Sequence, residues 1–355
     1  MYTLTSLQLY ACTLVHPLRN EKSIEIFSDI IENLNKLSGD GLEIVLQNKK
    51  KVFNGFLIMF LGDTPAQNWL GGFKESCSKA ISFCRNCDIQ HGQIAYDDSE
   101  VVLRNLNSHK KRLEKLQRCK VGKEHDDYSK KTGINYKSSL LKINYFDICK
   151  SLLQDPMHIF WECFCHLELA LFLNICINNQ VFTLEYFNKQ IKTFKYFKMD
   201  KTDIPNEITL NNIAVYTFTQ TSGQMSTLFH NLPLLLGEKI LLHSKENENY
   251  ENLLRLIQII NLVYCFVFNE RTISELRNEI KIYLKNFKLL YPEINMTPKM
   301  HFLIHFSSQM KEFDLLGMLQ FIEWRLKILK AKNIALKIFI IFQSRYLKDK
   351  KKNGF

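Results

Sequence analysis

Two pairs of metal-binding residues, far apart in the chain, constrain its fold more than any other feature. Cys84 and Cys87 form a C-x2-C pair, and His301 and His305 lie four positions apart in the segment PKMHFLIH. Two thiolates at this spacing can bind the same ion, and histidines four apart share one face of a helix. Together the pairs predict a tetrahedral Cys2His2 zinc site, so the fold must bring two distant parts of the chain into contact.

Each pair also has an explanation that involves no metal. A C-x2-C pair in a chain with ten cysteines can be two ordinary thiols. Two histidines in an apolar helix can be core residues whose ring nitrogens are hydrogen-bonded. The zinc interpretation therefore depends on the presence of both pairs, because only four ligands complete the site.

The length and composition predict a protein with a large core. The chain has 355 residues, of which 46% are apolar and 12% aromatic, so it can bury enough surface for two domains, or for one domain with a large insertion. Its 47 Lys and Arg residues exceed its 36 Asp and Glu residues and leave a net charge of +11. This balance favours a polyanionic partner, with nucleic acid before membrane.

The same sequence favours a reducing compartment. The ten cysteines do not form the framework of a secreted disulfide protein, and residues 1–19 lack the pattern of a signal peptide. We therefore expect a nuclear protein, with the cytoplasm as the less favoured location. The apolar runs 159–177 and 253–268 contain charged residues such as Glu168 and Arg255, which are costly inside a bilayer, so no membrane partner is predicted.

Local patterns predict an α/β region followed by a long helical region. Strand-like stretches cover 1–15, 42–47 and 52–61, and helical spacing covers 23–37. After about residue 100 the chain is predicted to be helical, apart from a polar loop over 124–135. The predicted helices cover 101–119, 155–178, 222–242, 249–268 and 273–290.

An acidic residue follows the most apolar of the predicted strands. Residues 56–61 are all apolar, which predicts a central strand buried on both faces, and Gly62 and Asp63 come directly after them. In an open α/β sheet, ligands gather at the carboxyl ends of the strands, so Asp63 is a candidate metal ligand. The alternative is that Asp63 caps the helix that follows.

The order of short motifs along nearly the whole chain is more specific than any one of them. In sequence order the motifs are GDTPA, GGF, CRNC, FDI, DPMH, LELALFLN, SGQM, LPLLLGE, YPE and TPKMHFLIHF. In this order and spacing, the chain resembles transposases of the CACTA (En/Spm-like) type, especially those of animals. The catalytic subunit of the V(D)J recombinase is a more distant resemblance with the same layout.

The resemblance implies an α/β plus α fold in which an all-helical insertion interrupts a ribonuclease H-like core. Residues 1–99 would form the first part of the core, 100–296 the insertion, and 297–355 the last part of the core with a basic tail. Asp63 would be the second of three catalytic acids and Glu323 the third, and the Cys2His2 residues would bind zinc. The acids would hold two Mg²⁺ or Mn²⁺ ions during cleavage and strand transfer of DNA.

The chain departs from the family pattern at the other two acids. The first acid of the family lies upstream of the segment that resembles residues 2–10, so we expect the first core strand and the first acid to be missing. The run FIEWRLK keeps Glu323 but only part of the basic pattern around it, so a solvated helix glutamate is the alternative. We therefore expect a catalytically incompetent transposase remnant. The alternatives are an active transposase or nuclease with an incomplete gene model, and a domesticated DNA-binding or scaffold protein.

Two further features extend the prediction beyond the acids. Asp155 of the DPMH motif is expected to cap a helix, with His158 as an accessory residue near the active site. The basic stretch 104–123, including Lys110, Lys111 and Arg112, is expected to contact DNA phosphates weakly, as is the basic tail 345–352. A solvated face is the alternative explanation of both charge runs. The sequence leaves open whether the chain forms a homo-oligomer.

Overall fold

The computed structural model of this chain is mostly helical and contains one small antiparallel sheet. It describes residues 27–46, 49–241, 247–265 and 268–313, and the backbone of 336–344. Three predictions lie outside the described residues, namely the first strand over 1–15, Glu323 and the basic tail 345–352.

The described residues divide into two compact units. One comprises 27–79, 105–153 and 336–344, and the other comprises 80–104 and 154–313 with the gaps given above. This division differs from the predicted boundaries after residues 99 and 296. Residues 80–104 belong with the later helices because their cysteines and arginines are buried there rather than beside the sheet.

The first unit contains the sheet and four helices. Strand β2 lies between β1 and β3 and pairs antiparallel with both, with Phe53 opposite Leu42 on one side and Ser344 on the other. A central strand was predicted here, but not two antiparallel neighbours. The elements are α1 (Ser28–Gly39), β1 (Leu42–Leu46), β2 (Lys49–Gly62), α2 (Thr64–Leu70), α3 (Leu106–Arg118), α4 (Lys123–Thr132) and β3 (Leu336–Ser344).

The core of this unit lies between β2 and the helices. Leu57 and Phe60 of β2 and Ile31 and Leu34 of α1 are at most 5% exposed and belong to one apolar cluster. Leu113 of α3 belongs to the same cluster. Helical spacing in α1 and α3 places these apolar side chains on one face, so each helix is held to the core by a single stripe.

The prediction of a polar loop over 124–135 is wrong, because this stretch forms α4. Glu124 and Asp126 lie in its first turn, and Lys130 and Lys131 in its last, where each sign of charge complements the helix dipole. Gly133 ends the helix with a φ of 75°, a conformation that glycine adopts without strain. Charge position along the helix, rather than an apolar stripe, explains why such a polar sequence is helical.

The second unit is a bundle of helices around α5. Helix α5 (Pro156–Asn178) contains one π-helical turn, Phe160–Phe164. The other helices are α6 (Leu184–Thr193), α7 (Leu210–Ala214), α8 (Ser222–Leu241), α9 (Asn247–Val263), α10 (Glu270–Leu290) and α11, which runs from Pro298–Phe302 through the 3-10 turn Leu303–His305 into Phe306–Phe313.

The middle of helix α5, from Glu168 to Leu173, is buried on every face. Leu169, Ala170, Phe172 and Leu173 point in different directions around the helix, and none is exposed. By length and composition α5 could also cross a membrane, but 67% of its most apolar stretch is buried inside the protein. The core helix of a soluble protein has the same properties, so the absence of a membrane partner stays a prediction.

Helix α5 also carries a carboxyl group into the core, and this predicts a specific dependence of stability on pH. Glu168 is fully buried and accepts a hydrogen bond of 2.9 Å from the Tyr283 hydroxyl of α10. Burial raises the pKa of Glu168 from 4.5 to about 7, although the bond from Tyr283 acts in the opposite direction. Because the unfolded chain releases this proton at a lower pH than the folded chain, ionisation favours unfolding.

The contribution of Glu168 to the free energy of unfolding should be highest below pH 4.5. It should fall as the pH rises to about 7. The loss is on the order of 3 kcal/mol. Glu168→Gln should remove this part of the pH dependence, because glutamine does not ionise. Urea unfolding at several pH values between 5 and 8 measures the effect. Glu207→Gln changes an exposed carboxyl and should keep the pH dependence of the wild type. If the unfolding free energy of Glu168→Gln changes with pH as steeply as that of the wild type, Glu168 is not the group responsible.

Candidate metal centre

The two cysteines lie in a loop that a buried arginine holds in shape. The Arg104 guanidinium donates hydrogen bonds of 3.0 Å to the Cys87 carbonyl and 3.1 Å to the Ser82 carbonyl, and it lies 3.3 Å from Asp88. Its backbone N–H donates to the Asn86 carbonyl. Arg104 is only 4% exposed, so it is part of this loop and not of the predicted DNA-binding stretch 104–123. The sequence does not predict this role, because nothing local distinguishes Arg104 from the surface cations that follow it.

The two histidines are presented by the first turns of α11. Thr297 caps this helix by accepting a hydrogen bond of 3.3 Å from the Met300 N–H, and Pro298 occupies the first turn. Proline is favoured there because its missing N–H would have no partner within the helix. His301 and His305 follow on the same side, as their spacing predicts, although the second lies in a 3-10 turn.

The four side chains meet in a buried cluster. The Cys84 sulfur lies 3.4 Å from His305 Nε2, the Cys87 sulfur lies 3.2 Å from His301 Nε2, and the two Nε2 atoms are 3.2 Å apart. All four ligand atoms lie within 4.8 Å of one another. Bonds of about 2.3 Å to sulfur and 2.1 Å to nitrogen would give a nitrogen–nitrogen edge of about 3.4 Å and a sulfur–nitrogen edge of about 3.6 Å, close to these distances. The cluster has the dimensions of a four-coordinate metal site.

The contacts of the imidazoles argue against ordinary core histidines. Core histidines bond their ring nitrogens to polar partners, whereas both Nε2 atoms here point at a sulfur and at each other. His301 Nδ1 is buried and has no hydrogen-bond partner among the described residues. The cysteines are free thiols at most 1% exposed, so no disulfide explains their proximity. A cation at the centre would satisfy all four converging atoms.

The electrostatics of the cluster also suit a cation. Burial alone would raise the pKa of Cys84, but the hydrogen bond from Cys87 and the nearby imidazoles outweigh it and hold that pKa well below its usual range. The pKa of Cys87 is raised, first by its bond to Cys84 and then by burial. Burial lowers the pKa of His301, which keeps this ring neutral. A thiolate and neutral imidazole are the forms that bind metal, and the second thiol loses its proton on binding.

Asp63 lies directly after β2, as predicted, and caps α2. Its Oδ1 accepts a hydrogen bond of 2.7 Å from the Ala66 N–H. The capping alternative is therefore what the structure shows, and a role as a metal ligand stays a prediction. Within the described part of the chain, the Cys2His2 cluster is the only group of three or more His, Cys, Asp or Glu side chains close enough to bind one ion.

The DPMH motif also begins a helix as predicted. Asp155 caps α5 by accepting a hydrogen bond of 2.9 Å from the Met157 N–H, and its other oxygen lies 2.6 Å from His158 Nδ1. Capping by Asp155 is confirmed. The expected position of His158 near catalytic acids stays a prediction.

The basic residues predicted to contact DNA lie on α3. Lys110 and Lys111 are exposed and Arg112 is half-buried, while His109 and Leu113 face the core. Exposed cations on the outer face of a helix are expected whether that face contacts only solvent or also DNA phosphates. Contact with DNA therefore stays a prediction for this helix.

We expect the purified protein to contain about one zinc ion per chain, because four buried ligands make one closed site. Cys84→Ser and His305→Ala should each lose the ion and lower the melting temperature, since metal binding free energy is part of folding free energy. Elemental analysis and thermal unfolding measure both effects. Cys119→Ser and His230→Ala are matched controls outside the cluster. A folded wild type with almost no metal would refute the site.

No family model, curated protein or solved structure matches this chain. The candidate site therefore rests on its own geometry: a buried cluster of two cysteines and two histidines that could hold a metal ion such as zinc.

Proposed function

We propose that this chain is a transposase-derived protein of the DDE type, in which one zinc ion joins the C-x2-C loop to α11. The observation that carries the proposal is the meeting of Cys84, Cys87, His301 and His305 at tetrahedral distances. These are the residues that the resemblance to CACTA-type transposases assigns to zinc. Cys2His2 sites occur in many zinc proteins, so the resemblance to transposases in particular rests on the order of the other motifs.

Zinc is the metal that best suits this donor set. Two thiolates and two imidazoles in a tetrahedral arrangement favour Zn²⁺ over Mg²⁺ or Ca²⁺, which prefer oxygen ligands. The cluster is at most 6% exposed at any ligand and has four protein donors. A catalytic zinc site keeps one position open for water or substrate. The proposed zinc is therefore structural, and any catalysis would belong to the acids.

The proposed catalytic part is a ribonuclease H-like core with DNA as its substrate and the nucleus as its compartment. Asp63 supports this part by its position after a central strand. Two-metal cleavage of a phosphodiester requires carboxylates that together hold both ions. The printed sequence has two acids, Asp63 and Glu323, at family positions. We therefore propose that this chain descends from a transposase and does not itself cleave DNA.

With these two acids, we expect no cleavage of DNA ends above background in Mg²⁺ or Mn²⁺, because both ions cannot be positioned. Labelled duplexes with free and nicked ends provide the measurement. Asp63→Asn is the matched variant, since asparagine still caps a helix but has no charge. Metal-dependent nicking by the wild type that Asp63→Asn abolishes would show an active enzyme and contradict the proposal of a remnant.

Binding to DNA needs charge but not a complete catalytic site, and we expect it to be weak and independent of sequence. Dissociation constants should be on the order of micromolar or weaker at physiological salt, and affinity should fall steeply as salt rises. Replacing Lys110, Lys111 and Arg112 by alanine should reduce the slope of log affinity against log salt by about 0.9 per lost phosphate contact.

Titration of labelled duplexes at several salt concentrations tests this expectation. A matched control removes three exposed lysines from the other unit, Lys189, Lys192 and Lys195. An equal slope for the α3 variant and the wild type would show that α3 does not contact the phosphates. Binding that does not depend on salt would contradict the electrostatic mechanism.

A further inference from the structure

A small cavity lies beside one ligand of the Cys2His2 cluster. It has a volume of about 20 Å³ and is lined by residues 91–95 and 296–298, by Phe83 and by the His301 ring. The other three ligands of the cluster do not line it. Residues 91–94 are exposed, so water can enter from this side. The cavity is therefore outside the cluster but in contact with one of its histidines.

The orientation of the His301 ring is fixed by its neighbours. Its Nε2 lies 3.2 Å from the Cys87 sulfur and 3.2 Å from His305 Nε2. The Phe83 ring packs against it edge to face, with 5.5 Å between the ring centres. Turning the imidazole by half a turn would place a carbon atom where Nε2 now meets the sulfur. The ring therefore keeps Nε2 towards the cluster and Nδ1 away from it.

The second nitrogen of this ring is a donor that needs an acceptor. A neutral imidazole that binds a metal through Nε2 carries its proton on Nδ1. Metal-binding histidines almost always donate this N–H to a carboxylate, a backbone carbonyl or water. His301 is only 6% exposed, and its Nδ1 is buried without a hydrogen-bond partner in the part of the chain that the structure describes. Water is then the acceptor that remains.

The cavity suits one water molecule in size and in polarity. A buried water needs a cavity of at least about 10 to 15 Å³ and polar partners in its wall, and this cavity has about 20 Å³. Thr297 lines the cavity, and its hydroxyl accepts a hydrogen bond of 3.3 Å from the Met300 N–H. A hydroxyl that accepts one bond can still donate its own hydrogen. Because the lining residues include no Asp or Glu, their side chains offer His301 no carboxylate.

We propose that one water molecule binds in this cavity and accepts a hydrogen bond from His301 Nδ1. The water does not touch the metal ion. It orients the ring and makes Nε2 a stronger ligand, as outer hydrogen-bond partners of metal-binding histidines do. This inference rests on the zinc site proposed above, but not on transposase ancestry. One zinc ligand of this protein is thus held by a molecule that exchanges with solvent, rather than by another side chain.

Two measurements on the full chain loaded with zinc test the proposal. A crystal structure should show one ordered water within about 3.2 Å of His301 Nδ1. Ala95→Val adds two methyl groups to an alanine that lines the cavity and is 5% exposed. It should displace the water, because little of the cavity would remain. Zinc affinity, measured by competition with a chelator, should then fall about 10- to 100-fold.

The matched control is Ala80→Val, which adds the same two methyl groups to an alanine of the same unit that is 3% exposed and does not line the cavity. It should bind zinc as tightly as the wild type, even if its melting temperature falls.

Equal zinc affinity of Ala95→Val and Ala80→Val would overturn the proposal. So would a zinc-loaded structure in which Nδ1 bonds to a protein group or has no water, and this structure decides the question if Ala95→Val does not fold. A wild type that binds no zinc would overturn the zinc site as well, whereas zinc without the water overturns this inference alone.

Discussion

The second unit depends on one contact, between a loop of two cysteines and the first turns of α11. The contact brings together buried thiols and imidazoles that have few other polar partners. Structural zinc in small domains contributes apparent free energies of about 10–16 kcal/mol. Folded domains are more stable than their unfolded chains by only about 5–15 kcal/mol. A zinc ion bound by this cluster would therefore contribute about as much free energy as the whole stability of a domain.

Two buried charged groups elsewhere in this unit are paired with residues distant in the sequence. Arg104 is bonded to carbonyls of the cysteine loop, and Glu168 of α5 is bonded to Tyr283 of α10. A buried polar group without a partner costs more than its hydrogen bond contributes. Such groups therefore restrict the arrangement of apolar elements that could otherwise pack in several ways. In this unit the apolar surface supplies the driving force, and the polar groups and the Cys2His2 cluster select one arrangement.

At two places in the chain, a capping carboxylate uses only one of its two oxygens for the cap. Asp63 uses Oδ1 to cap α2, so capping involves only one of its two oxygens. Asp155 uses one oxygen to cap α5 and the other to hold His158. A carboxylate after a strand or before a helix is thus fixed by the backbone, and this rigidity suits a residue that must hold an ion or orient a ligand. Capping by Asp63 is therefore compatible with the metal binding proposed for this residue.

The sequence by itself determined the local features of this protein. The sequence contains the C-x2-C pair and the spacing of His301 and His305 directly. Interactions between neighbouring residues predict the central strand before Asp63 and the helix capped by Asp155. Only the tertiary structure decided the burial of Arg104, the antiparallel partners of β2 and the grouping of 80–104 with the later helices. These features depend on which distant groups bury or neutralise each residue. No local pattern of apolar and charged residues contains that information, because the same arginine is favourable in water and in a buried, hydrogen-bonded position.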